Sequence, residues 1–140
     1  MDAKRVIGAG VVAFLILFVA GYLVHAVWLA GTYRAMIAGG FSFRPQESMQ
    51  RKLWIIWVSD FLYAMLFAWV YARGLEPKPW VGQGLRFGIL MTLFTVVPAT
   101  LNEYVAYNLP YTLAVRWMAA GLITLIVMGL AVAAIVKAPK

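Results

Sequence analysis

The sequence predicts an all-α integral membrane protein, a four-helix bundle with short connections and one longer loop between helices 1 and 2. Three observations carry that reading. The 140 residues are 64% hydrophobic and only 12% charged, where a soluble domain carries about 25% charged residues. Four stretches, 6–28, 54–72, 87–107 and 114–136, reach the roughly 20 apolar residues that a bilayer crossing requires. Hydrocarbon offers the backbone no water to bond, so each stretch has to be helical. The length corresponds to a single domain, 1–140.

The elements follow in order. Lys4 and Arg5 precede the first apolar run in the manner of a signal peptide, but the run exceeds the roughly 7–15 residues of a cleaved h-region, which predicts an uncleaved anchor. The loop Leu29–Leu53 divides. "AGGFSFR" reads as irregular chain, Pro45 can open a helix at its first turn, and Gln46–Lys52 extends the second span as a polar prelude. The loop as a whole reads as a spacer, with a recognition element as the alternative. Trp57, Phe61, Trp69 and Tyr71 surround the second span instead of marking one stripe, which suits burial against lipids, pigments or other subunits. "RGLEPKPWVGQG" reads as an ordered surface loop whose glycine pair lets loop and helix approach closely. In the third span Pro98 is expected to kink the helix and free the Phe94 carbonyl for a threonine or a water. "NLPY" is a tight turn broken by Pro110, and the fourth span follows it. The two hairpins share an orientation, as a parallel repeat would, without a residue-level match.

Charge sets orientation. Twelve Lys and Arg against five Asp and Glu give a net +7. They border the apolar runs, where they meet headgroups, and form no basic stripe for a nucleic acid. Lys4, Arg5, Arg73, Lys78, Arg86, Lys137 and Lys140 fall on one side; Arg34, Arg44, Arg51, Lys52 and Arg116 fall on the other. Seven against five predicts both termini in the cytoplasm of a bacterial inner membrane. Trp28, Trp54, Trp80 and Trp117 lie near span ends, as interfacial aromatics do.

The chemistry is bounded by what is missing. Zero cysteines exclude disulfides, thiolate zinc, iron–sulfur clusters and CxxCH haem. One histidine excludes bis-His haem, and zinc would need His25, Asp60 and Glu103 together. Met65, Met91, Met118 and Met128 read as gap-fillers in the spans. HExxH, Gly-x-Ser-x-Gly and P-loop motifs are absent, so no enzyme and no cofactor are predicted, bound lipid or pigment apart.

One stretch, "TVVPATLNEYVAYNLPY", puts Asn102 and Glu103 inside an apolar span. At 1.5 Å per residue, His25 lies about 5 Å, Arg116 about 6 Å, Glu103 about 8 Å and Asp60 about 9 Å below the outer ends of their helices. Four helices side by side would bring these groups into one layer. Isolated charges at mid-membrane depth cost about 2.5–3.5 kcal/mol each, so pairing is expected: Arg116 forked onto Asp60 or Glu103, and the remaining carboxylate protonated, cation-bound or paired with His25. Tyr63, at i+3 from Asp60, can donate to it. Thr92, Thr95, Ala99 and Tyr107 share the Glu103 face; Ala120 and Thr124 follow Arg116, and Gly21 precedes His25. The layer reads either as an ion-paired clamp or as a proton, cation or headgroup site.

"KPWVGQGLRFG" followed by "VPATLNEY" is similar to a pattern in small four-span bacterial inner-membrane proteins of unknown function. That resemblance implies the four-span bundle and no chemistry. The small multidrug transporters share the size and span count, but their essential glutamate lies midway along the first span, where this chain has only Phe14 to Ala20. The expected role is a non-catalytic accessory or assembly subunit of a larger bacterial membrane complex, photosynthetic or respiratory, partnered by lipids and by other subunits or by its own copies. The alternative is a small proton- or cation-coupled transporter or binding protein using Asp60 and Glu103. A third option, an enzyme acting on a lipid or quinone through His25 and Glu103, lacks a nucleophile or metal set.

Overall fold

Three prolines and one aspartate decide where the helices begin. The computed structural model describes residues 2–137 and is an all-α four-helix bundle; Lys140 lies outside the described residues. Its helices are α1 (Ala3–Trp28), α2 (Ala30–Ala38), α3 (Gln46–Gln50), α4 (Leu53–Arg73), α5 (Trp80–Ala106) and α6 (Tyr111–Ile135). Four hydrophobic spans, Ala3–Trp28, Gln46–Arg73, Trp80–Ala106 and Tyr111–Ile135, are long and apolar enough to cross a membrane. Asp2 caps α1 by accepting from the Lys4 and Arg5 amides at 3.0 and 3.4 Å. That cap starts the helix before residue 6. Pro45, Pro79 and Pro110 each stand immediately before a helix, where a missing N–H costs nothing.

Two boundaries depart from the sequence reading. The third span starts at Trp80, not 87, because the glycines of "WVGQGLRFG" are inside the helix. They serve helix–helix contact. A Cβ on Gly84 would lie 2.7 Å from the Gly129 carbonyl oxygen, and one on Gly88 would lie 2.5 Å from that of Leu125. Small residues let α5 and α6 close backbone to backbone where lipid supplies no hydrophobic drive. The second departure is the first loop. Within Leu29–Leu53, Ala30–Ala38 folds into α2 and Gln46–Gln50 into α3, with 39–45 the longest non-helical stretch.

The bundle has a defined order. α1 and α6 pack against each other at the centre, α4 flanks α1, and α5 flanks α6. Ala9, Ala13, Ala64 and Ala68 are fully buried in the core that α1 and α4 share, and a Cβ on Gly10 would sit 2.5 Å from Met65 Sδ. α4 and α5 meet through aromatic rings, Phe87 lying 4.7 Å from Phe67 and 5.3 Å from Tyr71 between centroids. Tyr71 is thus buried, not lipid-facing. Buried Gln83 ties down the connecting loop: its side chain accepts from the Glu76 amide at 2.9 Å and donates to the Glu76 and Lys78 carbonyls at 2.9 and 2.7 Å.

Candidate functional site

The aromatic contacts between α4 and α5 end at Tyr63, whose hydroxyl shares a 3.2 Å hydrogen bond with Thr95 Oγ1. Beyond that bond, toward Trp28 and Trp54, the four helices border an open cavity of about 500 Å³. Leu17, Gly21, Val24 and His25 line it from α1; Ser59, Asp60 and Tyr63 line it from α4. Thr95, Ala99 and Glu103 do so from α5, and Trp117, Ala120 and Thr124 from α6. Of the small and polar stripe read from the sequence, Gly21, Thr95, Ala99, Ala120 and Thr124 front one space, whereas Thr92 and Tyr107 do not.

Two of the helices lining the cavity, α1 and α5, are locally widened. α1 is π-helical over Tyr22–Trp28, and α5 over Thr92–Val96. Such bulges occur where a side chain or a proline interrupts the regular ladder. In α5 the widening immediately precedes Val97–Pro98. Thr92 and Thr95 bond the Gly88 and Met91 carbonyls at 2.8 and 2.7 Å, rather than the Phe94 carbonyl that Pro98 was expected to leave for them.

The expected ion pairs are not formed. Among the described residues the ion pairs are Arg5–Asp2 at 3.4 Å, Arg51–Glu47 at 2.5 Å and Lys78–Glu76, all exposed and none in the cavity. Arg116 instead donates to Thr32 Oγ1 at 3.0 Å, on α2. The reason is geometric: α2 folds back over the bundle end and offers Arg116 an acceptor that a sequence count of depths could not include. Tyr63 bonds Thr95 and not Asp60. Among the described residues no charged side chain is buried; Asp60 is half-exposed, and His25, Glu103 and Arg116 are exposed to the cavity or the surface. Asn102 and Tyr107 are exposed and do not line the cavity.

Residues that the sequence reading passed over supply the roof. Leu29, Leu109 and Leu113 form a second buried cluster with Val24, Tyr33, Met36, Phe41 and Trp117 packed on it, which seats α2 on the bundle. Within it the Trp117 indole N–H donates to the Tyr33 hydroxyl at 2.9 Å, and His25 Nδ1 lies 2.7 Å from the same oxygen. The two rings of His25 and Tyr33 are stacked, 6.0 Å apart. An indole can only donate, so the Tyr33 oxygen accepts from Trp117, and the direction of its bond with His25 Nδ1 follows the imidazole tautomer. Burial raises the Tyr33 phenol above its usual value, the Trp117 bond opposes that, and the Glu103 charge adds to the rise. Tyr33 therefore stays protonated throughout the physiological range. Trp117 is accordingly a half-buried cavity residue.

His25, Asp60 and Glu103 line one space, yet among the described residues no three His, Cys, Asp or Glu side chains stand close enough together to hold a metal ion. The zinc set weighed from the sequence is not assembled. No family model matches the chain, and neither does any curated protein or solved structure.

Proposed function

We propose that this multi-pass membrane protein binds and moves a proton or cation through its polar cavity, with Asp60 and Glu103 as the carriers. One observation supports this over the ion-paired clamp: the two carboxylates front an open space of about 500 Å³ with no cation side chain bonded to either among the described residues. A structural clamp would spend Arg116 on them; here Arg116 holds α2. Unpaired carboxylates at a membrane depth are functional groups by default, because their cost has to be met by a bound proton or cation. His25, held through Nδ1 by Tyr33, lines the same space. The basic side, with Arg73, Lys78 and Lys137, faces the cytoplasm in this reading, and the cavity lies toward the opposite leaflet.

Proteoliposomes carrying an imposed pH gradient test the proposal. Glu103→Gln and Asp60→Asn should each cut proton or cation flux at least about tenfold while the variants elute and melt like the parent. Unchanged flux in both variants overturns it.

The accessory-subunit reading rests on a separate observation, the exposed aromatic belt of α4: Trp54, Trp57 and Trp69 are 59%, 46% and 44% exposed. Lipid covers such a belt as well as a partner does. Co-purification of a second membrane protein in stoichiometric amount under mild detergent would favour the subunit.

A further inference from the structure

The cavity is too wide, and its carboxylates too dispersed, for a bare metal ion to be its natural occupant. A metal requires ligands converging within a few ångströms, and His25, Asp60 and Glu103 do not converge in that way. A volume near 500 Å³ lies instead in the range of pockets that take small organic molecules, roughly 300–1,000 Å³. The wall chemistry narrows the class. Asp60 and Glu103 are its acidic groups, Lys and Arg side chains are absent from the described lining, and most of the remaining surface is aliphatic or small, with Trp117 and Tyr63 as aromatic faces. Carboxylates accept from an ammonium, aromatic faces attract it, and the aliphatic wall takes an apolar body.

We infer that the cavity binds a lipophilic organic ammonium ion, its charged nitrogen drawn to Asp60 and Glu103 and its apolar part lodged against Leu17, Val24 and Ala99. The inference rests on the proposed use of those carboxylates and names the cation they serve. Protons compete for the same two groups, so binding of the amine displaces them. This is the coupling that an exchanger needs, since two ligands sharing one site cannot occupy it together. The route from the membrane lies between α4 and α5, whose contacts beyond Tyr63 give way to the cavity.

Isothermal titration calorimetry on the full chain in zwitterionic nanodiscs decides it, with empty nanodiscs subtracted. The probes are phenylethylammonium chloride, its neutral counterpart 2-phenylethanol, and sodium or potassium chloride. Saturable, one-site binding of the ammonium with proton release is expected. It should weaken at least about tenfold in Asp60→Asn/Glu103→Gln, and also in Ala20→Phe, which fills the cavity without touching a charge. Equal saturable binding of the alcohol, or ammonium binding indifferent to all three substitutions, overturns the inference. If sodium or potassium, and not the ammonium, binds with carboxylate-dependent proton release, the ammonium is wrong and the proposed function stands. If no cation binds and no proton is released, the inference falls, and the proteoliposome flux of Asp60→Asn and Glu103→Gln alone decides the proposed function.

Discussion

Tyr33 is the side chain on which the outer end of the bundle converges, because one hydroxyl satisfies both Trp117 and His25. Tyr33→Phe should strand a half-buried indole N–H and release the imidazole, costing about 1–3 kcal/mol, read as a lowered melting temperature. Asp60 and Glu103 behave in the opposite way. A broken buried ion pair costs about 3–5 kcal/mol, but neither carboxylate has a cationic partner to lose among the described residues. Asp60→Asn and Glu103→Gln should therefore leave the melting temperature of the purified protein unchanged or raise it. A fall on the ion-pair scale would restore the clamp. The raised Tyr33 phenol adds a pH sign. Its folded value lies above the unfolded one, so its contribution holds below the usual pH 10.0 of a tyrosine and is lost as pH rises past it. Tyr33→Phe should flatten that alkaline loss.

At the scale of elements, the α5–α6 seam depends on the absence of side chains. Gly88→Leu would drive a large group into the Leu125 and Ile126 backbone, and neither helix can yield without separating. Overpacking of this kind costs about 1–3 kcal/mol or more; thermal unfolding should show it, whereas Gly82→Leu, with open space around it, should be mild. The same seam shows what was legible in the chain and what was not. Span number, the Pro45 helix start, the "NLPY" break and the meeting of His25, Asp60 and Glu103 at one cavity follow from length, proline position and helical rise, all local properties. The start of α5 was misplaced because glycine reads as a loop signal until its neighbour across the interface is known. α2 was missed because nine residues of modest apolarity are helical here only through docking on Leu109 and Leu113. The Arg116 pairing failed for the same reason: equal depth brings side chains to one level but does not choose among acceptors, and Thr32 arrives on α2.

For the whole molecule, a bundle closed by alanine and glycine on one side and propped open on the other is a vessel rather than a clamp. Edge-to-face contacts of Phe87 with Phe67 and Tyr71 seal the end near the termini. The widened turns of α1 and α5 and the docked α2 shape the other end. The chain contains no cysteine, so single introduced thiols report solvent access without background. The most direct test of a water-filled, acidic cavity is the reaction rate of Ala120→Cys with a cationic, membrane-impermeant methanethiosulfonate in nanodiscs, against Ile123→Cys, which lies 65% exposed on the bundle exterior. Ala120→Cys should react faster, and more slowly once Asp60→Asn and Glu103→Gln are added, because the reagent loses its attracting charges. An unreactive Ala120→Cys, or a rate indifferent to both carboxylates, would contradict the account.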